Sequence, residues 1–179
     1  MLAELTEVTA PGFSAPGDDA QLVFRAALTA LSEPGRIMQL PAALAAGLPV
    51  GSAALGLLLA LADGDTPLWL DAAARAAEPY LRFHTGAPIV SRLDAAAFAL
   101  VTDTARCPPL DAFDGGSEDF PDRSTTVIIE VAHLAEGGPL ALRGPGIAGR
   151  RNLTVEGWSR PAGRAGKPVL VPPQATSSP

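Results

Sequence analysis

With 179 residues the chain has the length of one domain, or one domain with a tail, and can bury a sizeable core. Its 19 acidic against 13 basic residues leave a formal charge of -6, so it lacks the basic face a phosphate backbone requires, and nucleic-acid binding is excluded as its main task. Hydrophobic residues reach 47%, but much of this is alanine and aromatics are only 5%, which implies a tightly packed core rich in small residues.

The first residues, MLAELTEVTAPGF, carry acids and no basic n-region of a signal peptide. After this Pro- and Gly-containing start, DDAQLVFRAALTALSEPG predicts a helix opened by Asp18 or Asp19 as N-cap and stopped by Pro34-Gly35. Leu22, Ala26, Leu28 and Leu31 are spaced for one face of it. A second helix, Ser52 to Ala62, is apolar nearly all round and reads as buried between layers. Its apolar run is far shorter than the ~20 residues that cross a bilayer, so the reading is a soluble, cytoplasmic protein with no membrane partner.

Thr66 to Leu70 predicts a short strand. Asp71 then caps an Ala-rich helix that runs, with a discontinuity at Pro79, toward Phe83. Ala97 to Thr102 is a further strand, and the acidic segment Asp111 to Arg123 reads as a mobile surface loop. TTVIIEVAH, Thr125 to His133, has the β-branched density of a central strand. With AEGG as a turn and PLALRG after it, an antiparallel hairpin is expected, giving a mixed sheet covered by helices. From Arg160 the Pro, Gly, Ser and Ala content suits an irregular tail, so the domain is expected to span 1–158 and the tail 159–179.

Candidate chemistry concentrates at element ends. LRFHTGAP sets Arg82, His84 and Thr85 beside a Gly and a Pro. Such a trio suits an anion or a partner surface, and equally suits a helix stop, because cations favour the negative end of the dipole and Gly accepts the left-handed cap. FRAALTALSEPGR brings Arg25, Ser32, Glu33 and Arg36 around a helix end, and DGDT offers Asp63 and Asp65, a carboxylate pair without the further oxygens a calcium loop needs. LRGPGI could offer the backbone N–H groups of Gly144 and Gly146 to a phosphate, with Arg143, Arg150 and Arg151 nearby, although Pro145 removes a donor and no Walker or GxGxxG pattern is present. His133 reads as a packed histidine. Lone Cys107 excludes an internal disulfide and multi-cysteine metal sites. No GxSxG elbow activates a serine, so no catalytic residue and no metal site is assigned.

In their order and spacing, FRAALTALSEPGR, LLLALADGDTPLWL, LRFHTGAP and LALRGPGI resemble the PhnH family, the H subunit of the bacterial carbon-phosphorus lyase system, from about Pro11 to Ile147. The resemblance implies a subunit of the complex that makes ribose 1-methylphosphonate 5-triphosphate from ATP and an alkylphosphonate. It also implies a three-layer α/β/α sandwich similar to pyridoxal-phosphate-dependent transferases but without that cofactor. Lys167, the chain's only lysine, agrees with the loss, because it falls in the Pro/Gly tail. The partners implied are a second copy, as a homodimer, and the other lyase subunits. Ser32, Glu33, Asp63, Asp65, Arg82, His84 and Thr85 become candidates for a partner- or ligand-binding polar surface, and binding of a phosphorylated nucleotide or ribosyl phosphonate is the alternative to assembly. One departure stands out: the family's C-terminal FPLG and PRTT-like block is not found, and GWSRPAGRAGKPVLVPPQATSSP occupies its place. A lost sheet strand and a bared edge are the expected consequence.

Overall fold

The fold follows from helices with small and apolar residues on their packed faces, short apolar strands that form a parallel sheet, and a longer, more polar ribbon. The computed structural model describes residues 10–40, 44, 47–158 and 167–171. Three α-helices, α1 (Pro16–Ser32), α2 (Ser52–Leu61) and α3 (Glu78–Thr85), accompany strands β1 (Leu68–Leu70), β2 (Phe98–Val101), β3 (Thr126–Glu130), β4 (His133–Leu142), β5 (Arg151–Glu156) and β6 (Lys167–Val171). Strands β1, β2, β3 and β6 form one parallel sheet in that order, while β4 and β5 form a separate antiparallel ribbon. The fold is therefore α/β, with a purely parallel sheet and an antiparallel pair rather than one mixed sheet.

The sheet is buried on both faces. On one, Leu68, Leu70, Leu100 and Ile128 meet Val23, Leu55, Leu58, Tyr80 and Leu81 from the three helices. On the other, Ala99, Val101, Val127, Ile129 and Val131 pack with Leu110 and Phe113 from short turns and, from the ribbon, Leu134 and Val155. Among the described residues the second face is covered by 3-10 turns and ribbon, and not by α-helices. The segment read as a mobile loop contributes to that cover, because Phe113 is buried and its ring meets Trp69 edge-on at 5.8 Å.

Two readings of the sequence are corrected. β3 forms no hairpin with the strand after it; it pairs in parallel with β2 and with β6, Ile128 lying beside Leu100 and Val169. A β-branched run without polar alternation is the pattern of a strand buried on both faces, which a parallel sheet supplies. AEGG is not a turn either: it lies inside β4, where the register shifts between Glu136 and Leu140, and the ribbon reverses after Leu142. The irregular tail is also corrected in part. Lys167–Val171 is the sheet's edge strand, so the edge of β3 is paired and not bared. The remaining tail residues, and the first nine, lie outside the described residues.

Of the four residues expected on one face of helix α1, only Ala26 is buried. Val23 and Ala26 are buried, whereas Leu22, Phe24, Leu28 and Leu31 are about half exposed. Its start also differs: Ala15 is the N-cap, Pro16 takes the first helical position, and the Asp19 carboxylate accepts from the Ala15 N–H at 2.9 Å. No helix among the described residues is long and apolar enough to cross a membrane.

Because Ile128 is central, 1% exposed and close-packed, Ile128→Ala is expected to lower unfolding free energy by about 3 kcal/mol, measured by urea denaturation. A loss below about 1 kcal/mol would show that β3 does not carry the core.

Candidate functional site

The four blocks singled out in the sequence join two by two in space. In the first pair, the end of α1 meets the tip of the ribbon. A Cβ at Gly146 would stand 2.5 Å from the Ser32 carbonyl oxygen and 2.9 Å from Pro34 Cδ, and one at Gly35 would stand 2.8 Å from Leu142 Cδ1 and 2.9 Å from Arg151 Cδ. Both glycines also have left-handed φ, 79° and 84°, so neither the turn nor the close approach admits a side chain without strain. Arg151 Nη1 donates to the Glu33 carbonyl at 3.3 Å, and Arg36 pairs with the Glu33 carboxylate at 2.8 Å. The junction opens into a groove of about 510 Å³ lined by Glu33, Arg36, Glu136, Gly137, Arg150, Arg151 and Asn152.

In the second pair, the DGDT turn meets the end of α3. Asp63 Oδ1 accepts from the Asp65 N–H at 3.0 Å and from the Thr66 hydroxyl at 2.6 Å. These bonds hold its carboxyl below the usual range, the Thr66 hydroxyl contributing most, and make the turn self-contained. Gly64 Cα lies against Gly86, which caps α3 in the left-handed conformation at φ 73°. The helix-stop reading of LRFHTGAP thus agrees with the structure.

Arg82, His84 and Thr85 point to different partners. Arg82 Nη1 pairs with Glu78 at 3.5 Å on the exposed side of α3. Thr85 donates to the Leu81 carbonyl at 2.7 Å and accepts from the Ala87 N–H at 3.0 Å, a local cap. The His84 ring lies 4.4 Å from Tyr80 between centroids, its Nε2 is 3.0 Å from the Ala10 carbonyl, and it fills the space beside Gly12. Tyr80 itself reaches the Pro11 carbonyl at 3.3 Å, and burial raises its pKa. His84 and Tyr80 therefore tie the segment ahead of α1 to α3. No hydrogen bond or ion pair among the described residues joins this group to Ser32 and Glu33. His133, read as packed, is exposed at the start of β4.

Two residues that sequence reasoning did not assign to a site occupy the carboxyl edge of the parallel sheet. Asp71, 8% exposed at the end of β1, accepts from the N–H groups of Ala74, Thr102 and Asp103 at 2.7, 2.7 and 2.9 Å and from the Thr102 hydroxyl. Glu130, at the end of β3, accepts from the Gly51 N–H at 2.6 Å, at the N-terminus of α2. Burial raises its pKa, the Gly51 bond opposes the shift, and the Asp71 charge adds to it. Cys107 is likewise pushed up, by burial first and then by Asp71, so its thiol is held protonated rather than activated. The signal for Glu130 was available in part, as an acid closing an apolar β-branched run, but its helix partner is 79 residues away. Among the described residues no group of three or more His, Cys, Asp or Glu side chains is disposed to hold a metal ion.

A parallel sheet with helices on one face and an antiparallel ribbon on the other define an α/β protein, with an arginine-lined groove where the ribbon meets the end of α1. Residues 11–164 match the family of the bacterial phosphonate metabolism protein PhnH, and the chain belongs to that family. It is 39% identical over 144 residues to alpha-D-ribose 1-methylphosphonate 5-triphosphate synthase subunit PhnH of Rhizobium meliloti (strain 1021), which covers 79% of this chain and 72% of that relative.

A Glu130 proton is held more tightly in the folded chain than in the unfolded one. Its contribution therefore favours folding at low pH and is lost as pH rises from the ordinary glutamate range through the raised folded value. Glu130→Gln keeps an acceptor for Gly51 and removes the charge, so its stability relative to the native chain should fall as pH is lowered through the raised value toward the ordinary glutamate range. Parallel stability-against-pH curves for the two chains, measured by urea denaturation, would show that Glu130 is not perturbed.

Proposed function

We infer that this chain is a subunit of the carbon-phosphorus lyase core complex in phosphonate catabolism. It supports the formation of ribose 1-methylphosphonate 5-triphosphate from ATP and an alkylphosphonate, and it acts by assembly and not by making or breaking bonds itself. Family membership and the relative's name as a synthase subunit support the pathway. The observation that carries the assembly role is the face of α1. Phe24, Leu28 and Leu31, at spacings of four and three, are 49%, 56% and 53% exposed and lie along one side of the helix. A monomer gains nothing by leaving three large apolar groups of one helix in water, and such a stripe is the form in which a helix receives another protein surface.

The partner on that stripe is another subunit of the synthase. Association of two copies into a homodimer belongs to the same reading, as does a place in the cytoplasm, where the phosphonate pathway draws on ATP. The fold is read as a reduced form of the transferase-like α/β/α sandwich, with 3-10 turns and ribbon standing where the third layer of helices would be, and with no pyridoxal phosphate. The described residues up to 158 and β6 act as one unit. Arg82, exposed beside Glu78 and Arg75, is a peripheral contact in this reading, whereas His84 and Thr85 hold local structure.

Phe24→Asp with Leu28→Asp tests the role. Both positions face water, so the thermal midpoint should move by less than about 3 °C, while co-purification with the other synthase subunits should weaken at least thirtyfold, on the order of 2 kcal/mol. Undiminished co-purification and normal growth on a phosphonate would refute the stripe as the docking face.

A further inference from the structure

We propose that the groove between the end of α1 and the ribbon tip is a binding site for a small molecule carrying adjacent phosphate groups. The chain as a whole has a formal charge of -6, yet Arg36, Arg150 and Arg151 converge here from a loop and from both sides of the start of β5. The volume, about 510 Å³, is in the range of small-ligand sites.

The arginines are held but not used up. Arg151 spends one nitrogen on the Glu33 carbonyl, Arg150 spends its Nε on Asn152 Oδ1 at 2.7 Å, and Arg36 spends Nη1 on the Glu33 carboxylate. Each guanidinium carries five N–H donors in a planar fork, so each retains a pair of donors able to grip phosphate oxygens bidentately. Asn152 is fixed in turn by donating to the Gly138 carbonyl at 2.7 Å, which steadies Arg150 through it. The backbone junction at Gly35 and Gly146 locks the two elements together, so the donors are arranged before a ligand arrives.

The groove's two carboxylates, Glu33 and Glu136, set the ligand's charge. Against them, three arginines leave a net excess of one positive charge, and a singly charged anion gains little by competing with Glu33 for Arg36. A polyphosphate, with several oxygens and several charges, can displace Glu33 from Arg36 while engaging Arg150 and Arg151. The original candidates Arg82, His84 and Thr85 are not part of this site.

This inference does not rest on the assembly reading: it concerns the isolated chain, and the α1 stripe lies outside it. Isothermal titration of the full chain with inorganic tripolyphosphate in low salt tests it, with monophosphate and a glutamate-rich peptide as comparison probes. Tripolyphosphate should bind at micromolar to sub-millimolar concentration, weaken steeply with added salt, and bind at least tenfold more tightly than either probe. Arg36→Ala with Arg150→Ala, at two exposed positions, should weaken it at least tenfold with an unchanged circular dichroism spectrum. Glu33→Gln should tighten it severalfold by freeing Arg36, an effect that loss of folding could not mimic. Absence of heat at millimolar tripolyphosphate, binding that the arginine variant leaves within threefold, or tighter binding of the acidic peptide would each overturn the proposal, the last by making the groove a protein-docking surface.

Discussion

The Asp71 carboxylate is the contact on which the sheet's geometry depends. It receives three backbone N–H groups and a hydroxyl from two different segments, one starting the turn into α3 and one leaving β2. A buried acid so surrounded cannot be replaced by an apolar group without stranding several donors, each at a cost of about 1–3 kcal/mol. It closes the carboxyl ends of β1 and β2 against each other, where parallel pairing provides no hairpin to do so. Glu130 does related work one strand further on, joining β3 to the N-terminus of α2. Two acids thus tie neighbouring segments together at the carboxyl edge of the sheet.

Small residues explain the other main feature. Ala54, Ala74, Ala77 and Ala99 are fully or nearly buried, which lets helix and strand backbones come close without large side chains between them. The same economy leaves α1 with its small residues turned inward and its large ones outward.

Much of the fold was legible from local pattern. The extent of α2, the end of α1, the Asp71 cap, the change of helix at Pro79, the glycine stop after Thr85 and the strands at Leu68–Leu70 and Phe98–Val101 all follow from signals within a few residues. Pairing did not, because it is decided between segments far apart. TTVIIEVAH looked like the first arm of a hairpin, since the glycines of AEGG resemble a turn as readily as a bulge. The edge strand Lys167–Val171 was hidden by composition, because Pro168 is tolerated on a strand whose neighbour lies on one side only. The side of α1 that is buried was misread for a like reason: periodicity finds apolar stripes, and α1 has two.

Among the candidate polar residues, the chain alone established which ones lie at element ends, because caps, Gly-Pro stops and short charged turns are local chemistry. It also determined that four blocks belong to one family, since order and spacing survive without coordinates. Tertiary structure decided which ends meet. It divided Ser32 and Glu33 from Asp63, Asp65, Arg82, His84 and Thr85, turned the last two into internal fasteners, and brought Arg36 beside Arg150 and Arg151 across more than a hundred residues. Side-chain type is written residue by residue, whereas juxtaposition depends on how packed elements share one core, and no local signal carries that.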